Sequence, residues 1–282
     1  MPRTLLPRFP GNLDGAWHIT ISFPWSCSAM QDGNTSATKD HTPDPAKPVR
    51  LVSIVLPAYN EEGNLAVCLD KLLETFPGPD YEIVVVNNGS ADRTREIAHD
   101  YAQAHPGKIV VLDLEVNRYI GGGLKAGFEV ARGEYVTPCA ADFHYTQADW
   151  APFAQALGSA DVLVGCRVRR EGYNPLMRFN AWLYVRLVRA LFGLRLRDVN
   201  WTCVYPRKLL ETIEIKHRGI PMLVEILVKL RDLGASFREV ECRMQERTVG
   251  KASASRFRTM WHTLLGLLKL RAEYRVPRKA QV

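Results

Sequence analysis

No stretch of this sequence reaches the roughly 18 apolar residues a membrane-spanning helix needs, so no helical span is expected. An amino-terminal Lys/Arg-then-apolar leader is also missing: Trp17 to Trp25 is apolar, but His18 and Pro24 break it. The six cysteines (Cys27, Cys68, Cys139, Cys166, Cys203 and Cys242) form no C-x-x-C pair. Their scatter through apolar runs argues against a disulfide framework or a zinc site and for reduced, buried thiols, as in a cytosolic protein. Asp32 to Pro48 has almost no apolar residue, and residues 1–50 are rich in Pro, Gly, Ser, Thr and Asp. They read as a poorly ordered tail, with Met30 an alternative start. Carboxylates are scarce in the second half: residues 161–282 hold 25 Lys and Arg against 11 Asp and Glu, whereas residues 1–160 hold 12 against 19. That half favours anionic partners such as phosphates or acidic lipid, or it is a solvated basic face. No nucleic-acid recognition motif accompanies the charge, so nucleic acid is not an expected partner.

What remains is an alternation. Val52, Ile54, Val55 and Leu56 form a β-branched-rich run that reads as a buried strand, stopped by Pro57. A polar turn follows, Ala58 to Gly63, and then Leu65, Cys68, Leu69, Leu72 and Leu73 at helical spacing. Further strands are expected at Tyr81–Val86, Ile109–Leu114, Tyr135–Cys139 and Val162–Cys166. Helices are expected at Thr94–Gln103, from the end of a flexible turn at Asn117–Gly123 through Arg132, and at Gln147–Leu157. This order predicts an α/β fold, a mostly parallel sheet with helices on both faces and ligands at the strands' carboxyl ends. Beyond Arg167 come a long helix, Leu176–Leu194, a second at Met222–Leu233, a strand at Phe237–Met244 and a last amphipathic helix from Phe257. Arg178, Arg186 and Arg189 share about a quarter of the first helix's circumference with Trp182. Trp261, Leu264, Leu265 and Leu268 share one side of the last, with Lys269 and Arg271 nearby. There is no internal repeat.

Five blocks in register, VSIVLPAYNEEGNL, VVNNGSADRT, GGGLKAGFEVARGEYV, a short acidic turn and GCR, resemble the family 2 glycosyltransferases with the GT-A fold. Within that family they most resemble the transferases that pass a sugar from a nucleotide diphosphate to a polyprenyl phosphate. The resemblance covers about Val52 to Ser255. It implies a Rossmann-like GT-A domain at 51–255, with a carboxyl-terminal amphipathic helix and tail at 256–282.

The resemblance assigns Pro57, Tyr59 and Glu61 to the nucleobase and ribose pocket, Tyr59 by stacking and Glu61 by accepting hydrogen bonds. Gly123 and Lys125 lie in its glycine-rich turn, where Lys125 meets phosphate or ribose. Two departures stand out. Asn87 and Asn88 replace the usual aspartates. The carboxamide of Asn88 can still pair with uracil or guanine, so the donor is a UDP- or GDP-sugar. Ala140-Ala141-Asp142 replaces Asp-x-Asp, so the first carboxylate of the Mg²⁺ or Mn²⁺ site is missing. Asp142 and His144 alternate on extended backbone and can face one ion, more comfortably Mn²⁺. In the competing reading the ion is lost and Arg or Lys replaces its charge. Arg167, in Gly165-Cys166-Arg167, matches an arginine that holds the acceptor phosphate, and Arg178 would be a second clamp. Asp198 falls where an aspartate lies near the sugar and could orient its hydroxyls; it can also simply cap, or pair with Arg195 or Arg197. Arg247 and Lys251 match a mobile loop that closes on the diphosphate.

The implied reaction is inverting transfer to a phosphate already ionised at neutral pH, so positioning and charge stabilisation carry it. With no membrane span, the expected place is peripheral, on an anionic membrane at its cytoplasmic face. A degenerate binding module, and a transferase acting on a saccharide hydroxyl with Asp198 as base, remain alternatives.

Overall fold

The computed structural model describes residues 52–141, 146–169, 173–217, 219, 221–243 and 257–274, all within one compact unit, His41–Val282. The strands are β1 (Val52–Ala58), β2 (Tyr81–Asn88), β3 (Ile109–Leu114), β4 (Tyr135–Pro138), β5 (Val162–Arg169), β6 (Cys203–Pro206) and β7 (Phe237–Arg243). The helices are α1 (Leu65–Thr75), α2 (Thr94–Ala104), α3 (Tyr119–Val130), α4 (Gln147–Ala156), α5 (Pro175–Phe192), α6 (Arg207–Leu210), α7 (Pro221–Asp232) and α8 (Phe257–Glu273).

The strands form one sheet in the order β3-β2-β1-β4-β6-β5-β7. Strands β1 to β4 run parallel. Strand β6 is antiparallel to both β4 and β5, while β7 is parallel to β5. Two reversals cancel, so only β6 runs backwards. The carboxyl ends of the six other strands share one rim, and the segment entering β6, residues 198–202, starts from that rim too.

Side-chain alternation along the strands divides the interior into two cores. Val55, Val84 and Val86 meet α3, α5, α7 and α8 on one face. Ile54, Leu56, Ile83 and Val85 meet α1, α2 and α4 on the other. Leu267 and Leu270 bury α8 in the first of these cores, and Gly266 lies close against Pro221 at the start of α7. No described helix is long and apolar enough to cross a membrane. The five described cysteines are buried in thiol form.

Several expectations need correction. Pro57 does not stop β1, which continues to Ala58. The Val55 carbonyl accepts from Cys139 N–H at 2.8 Å, so Val55 faces β4. Two residues on, Pro57 faces the same way, but β4 has ended there, and no ladder bond is lost for want of its N–H. Gly121, Gly122 and Gly123 are not a turn but the first part of α3. A Cβ on Gly127 would lie 2.2 Å from Val55 Cγ1, and one on Gly123 would lie 3.0 Å from Pro57 Cβ. The glycines thus let the helix settle directly on β1 and β2. The apolar stripe of α5 is split: Phe192 is buried, Leu187 and Leu191 are half-buried, and Trp182 and Leu183 are exposed. On α8, Leu265 and Leu268 face outward, and Leu267 and Leu270 carry the packing.

Candidate active site

Two adjacent rim loops are tied together by backbone-to-side-chain bonds. Asn60 N–H donates to Ser90 Oγ, and Ala91 N–H donates back to Asn60 Oδ1. Glu61 N–H donates to Thr94 Oγ1 at 2.8 Å. Glu62 N–H donates to Asp92 Oδ2, and Arg93 N–H returns a bond to Glu62 Oε2. Asn60 holds φ 54°, a left-handed turn that asparagine tolerates better than most side chains. The loop's shape is therefore set before any ligand arrives. The Glu61 carboxylate accepts from Asn64 Nδ2 at 2.8 Å, and Tyr59 is 46% exposed at the rim.

At the end of β2 both asparagines are buried and bonded. Asn87 Nδ2 donates to Asp113 Oδ1 at 2.8 Å, and its Oδ1 accepts from Ser90 N–H. Asp113 also meets His99 Nε2 at 2.7 Å and Arg95 Nε at 3.3 Å. Burial would raise the Asp113 pKa, but its bonds to Asn87 and His99 and the charges of His99 and Arg95 hold it below the ordinary 3.8. Asn88 Nδ2 donates to the Tyr119 carbonyl at 3.1 Å and to Asn117 Oδ1 at 3.3 Å, and its Oδ1 accepts from Arg118 N–H at 2.9 Å. Its amide is thus engaged with the loop before α3, with one oxygen lone pair to spare. Pro57, Asn88 and Gly123 are brought together, since a Cβ on Gly123 would touch the other two. Lys125 is not part of that group. Two residues on from Gly123, it is turned about 200° around the helix.

On the other side of the rim, Arg167 and Asp198 form one buried unit, 7% and 2% exposed. Nε donates to Asp198 Oδ2 at 2.7 Å, and Nη2 donates to Asp198 Oδ1 at 3.0 Å and to the Asn200 carbonyl at 3.3 Å. Nη1 meets Tyr173 Oη at 3.3 Å, and the guanidinium lies 4.7 Å over the Trp201 ring. Burial would lower the Arg167 pKa, but the hydrogen bonds and charge of Asp198 outweigh it. Gly165 makes this assembly possible. Its N–H donates to the Thr202 carbonyl at 2.8 Å, and a Cβ there would lie 2.8 Å from that carbonyl and 2.9 Å from Trp201. Between them, burial pushes the Cys166 thiol up to about 12, so it stays protonated at neutral pH. Arg178 is exposed and donates Nε to the Tyr173 carbonyl at 3.2 Å. Tyr173 therefore touches both candidate arginines. It was not singled out from the sequence, and nothing in its local pattern marks it.

Asp142, His144, Arg247 and Lys251 lie outside the described residues. Among the described residues no cluster of three or more His, Cys, Asp or Glu side chains could hold a metal ion.

The model of glycosyl transferase family 2 matches residues 53–213, more than half of the chain. The chain belongs to that family. It is 37% identical over 222 residues to a dolichyl-phosphate beta-glucosyltransferase of Drosophila melanogaster, covering 69% of this chain and 67% of that one. It is 28% identical over 188 residues to a dolichol-phosphate mannosyltransferase of Pyrococcus furiosus, covering 63% and 52%. The chain spans about half the length of most of the curated relatives it matches. Glucosyl-3-phosphoglycerate synthase from Mycobacterium tuberculosis, solved with Mn²⁺, UDP and phosphoglyceric acid, matches with a TM-score of 0.60 at 19% identity, covering 82% of this chain and 80% of that one. The architecture of this family 2 chain is GT-A.

Proposed function

We propose that this chain transfers a sugar, with inversion, from a UDP- or GDP-sugar to a polyprenyl phosphate on the cytoplasmic face of an anionic membrane. The observation that carries the acceptor half is the Arg167–Asp198 pair. Both oxygens of Asp198 already accept guanidinium hydrogen bonds. A hydroxyl acceptor would need a free base at this point, whereas a phosphate is ionised beforehand and needs only to be held. Among the described residues, Arg167 keeps one N–H of Nη1 unassigned, and exposed Arg178 stands one tyrosine away. These two arginines are the proposed acceptor-phosphate clamp, with Asp198 as the group that fixes the first of them. The names of the relatives support the same acceptor.

On the donor side we assign Pro57, Tyr59, Glu61, Asn88 and Gly123 to the nucleoside, and Arg247 and Lys251 to the diphosphate. Lys125 is left out of this set, since it lies about 200° around α3 from Gly123. Asp142 and His144 would hold a divalent cation, which would neutralise diphosphate charge when bound.

The exposed row on α5, Leu176, Phe179, Trp182 and Leu183, together with exposed Arg178, Arg186 and Arg189, supports contact with acidic lipid. Transfer is to be measured from UDP- and GDP-sugars to a short polyprenyl phosphate, with Mn²⁺, Mg²⁺ or EDTA. Sugar–phosphate–lipid product is expected. Transfer only to a saccharide hydroxyl would overturn the acceptor assignment, and absence of nucleotide binding would overturn the enzyme reading.

A further inference from the structure

Tyr119 has φ 60°, one of two non-glycine residues described at positive φ. Side chains rarely adopt that conformation, and glycine would hold it without strain. Three glycines stand within the next four positions, yet this one carries an aromatic ring. The ring contributes nothing to either core, because the residue is 68% exposed. The ring is therefore no part of either core, yet the backbone that carries it is held firmly. Its N–H donates to Asn117 Oδ1 at 2.7 Å, its carbonyl accepts from buried Asn88 Nδ2, and the preceding N–H donates to Asn88 Oδ1. Strain sustained by this many bonds, around a side chain the interior does not need, points to a ligand.

Position identifies the ligand. Strand β2 lies between β3 and β1, so Asn88 at its end is flanked by the loop after β3, with Tyr119, and the loop after β1, with Tyr59. Neighbouring strands stand about 4.8 Å apart, which puts the two flanking loops about 10 Å apart at their roots. A planar base stacked on both sides needs about 7 Å between ring planes. We propose that Tyr119 is a stacking face for the donor's nucleobase, opposed by Tyr59, and that Asn88 is the positioning residue that holds it there. This rests on the donor reading above and extends it. It also accounts for the asparagine: an aspartate at 88 would have no N–H for the Tyr119 carbonyl and would face Asn117 Oδ1.

The experiment measures UDP and GDP affinity by calorimetry, with melting temperature, for wild type, Tyr119→Gly, Tyr119→Phe and Asn88→Asp. Loss of base–aromatic stacking weakens binding by about five- to a hundredfold. Tyr119→Gly is expected to lose nucleotide affinity in that range while its melting temperature rises, because strain is released. Tyr119→Phe should stay within about twofold of wild type. Asn88→Asp should weaken binding more in the wild type than in Tyr119→Gly, where only its own contact with the nucleoside remains to be lost. Unchanged affinity in Tyr119→Gly, or equal losses in the Phe and Gly variants, would overturn the assignment while leaving the donor reading intact. A wild type that binds neither nucleotide would overturn both.

Discussion

Asn87 shows how a departure from the family pattern becomes structure. Its amide donates to Asp113, which His99 and Arg95 also hold. A carboxylate at 87 would lose that bond and set two negative charges in contact. The depressed pKa of Asp113 means that its contacts stabilise the fold fully above the ordinary 3.8 and that this is lost as the pH falls through the lowered value. Asn87→Asp should therefore destabilise by about 1–2 kcal/mol at neutral pH, a fall in melting temperature of about 5 °C. The deficit should shrink below about pH 4 as the carboxyls protonate. Thermal melts from pH 3 to pH 7 test this. A deficit independent of pH would mean that the amide bond alone, and not charge, is at stake. Asp198 makes the complementary point: its oxygens bind Arg167, a partner that spacing did not offer, where the sequence suggested a cap or a pair with Arg195 or Arg197.

Among the secondary-structure elements, α3 carries the sharpest test. Ala normally gains about 1 kcal/mol over Gly within a helix. At Gly127 that gain is reversed, because the added carbon would stand 2.2 Å from Val55 Cγ1 and 3.0 Å from Val86 Cγ2. Overpacking of this kind costs about 1–3 kcal/mol. Gly127→Ala should lower the melting temperature by a few degrees, and a rise would show that α3 does not press on β1 as described. This contact also explains what was legible in the sequence. Strands β1 to β5 and β7, and helices α1, α2, α4, α5 and α7, announce themselves through apolar period and turn residues, and their boundaries fall within three residues of expectation, whereas α3 begins inside the expected turn and α6 was not expected. Three consecutive glycines announce a turn, because propensity reports backbone freedom and not the need for close approach. Strand β6 was missed for a related reason. Cys203 to Pro206 is too short to show a period, and its reversed direction is set by neighbours distant in the chain. The Arg167–Asp198 pair joins positions 31 residues apart, and no local pattern encodes it. Of the candidate site, the loop after β1 and the Gly-Cys-Arg run within β5 could be placed on their elements directly. The inward commitment of Asn88, the role of Gly165 and the position of Tyr173 required the fold.

For the molecule as a whole, charge and apolar exposure meet beside the proposed acceptor clamp. Tyr173 touches Arg167, and α5 begins two residues later with its side chain-capped Asn174 and Pro175. From there Leu176, Phe179, Trp182 and Leu183 face outward. Phe179 and Trp182 stack at 5.8 Å, and Arg186 lies 5.2 Å over the Trp182 ring. A helix docked by this face would hold the clamp at the depth of lipid headgroups, where the phosphate of a polyprenyl acceptor resides. Two forces would then act together: apolar burial, about 2 kcal/mol for each large side chain inserted, and about 1 kcal/mol for each arginine near an acidic surface. Co-sedimentation with phosphatidylglycerol vesicles should be strong in low salt and weaken in 0.5 M salt (about half a nanometre of screening length). Neutral vesicles should bind less. Phe179→Ser with Trp182→Ser should reduce binding to acidic vesicles at least tenfold, with the melting temperature unchanged because both side chains are exposed. Transfer to a short, water-soluble polyprenyl phosphate should survive in the double variant, while transfer to a long-chain acceptor embedded in vesicles should fall with the binding. If both acceptors are used as well as by the wild type, α5 is not the membrane contact, and the basic second half of the chain must serve the soluble substrates alone.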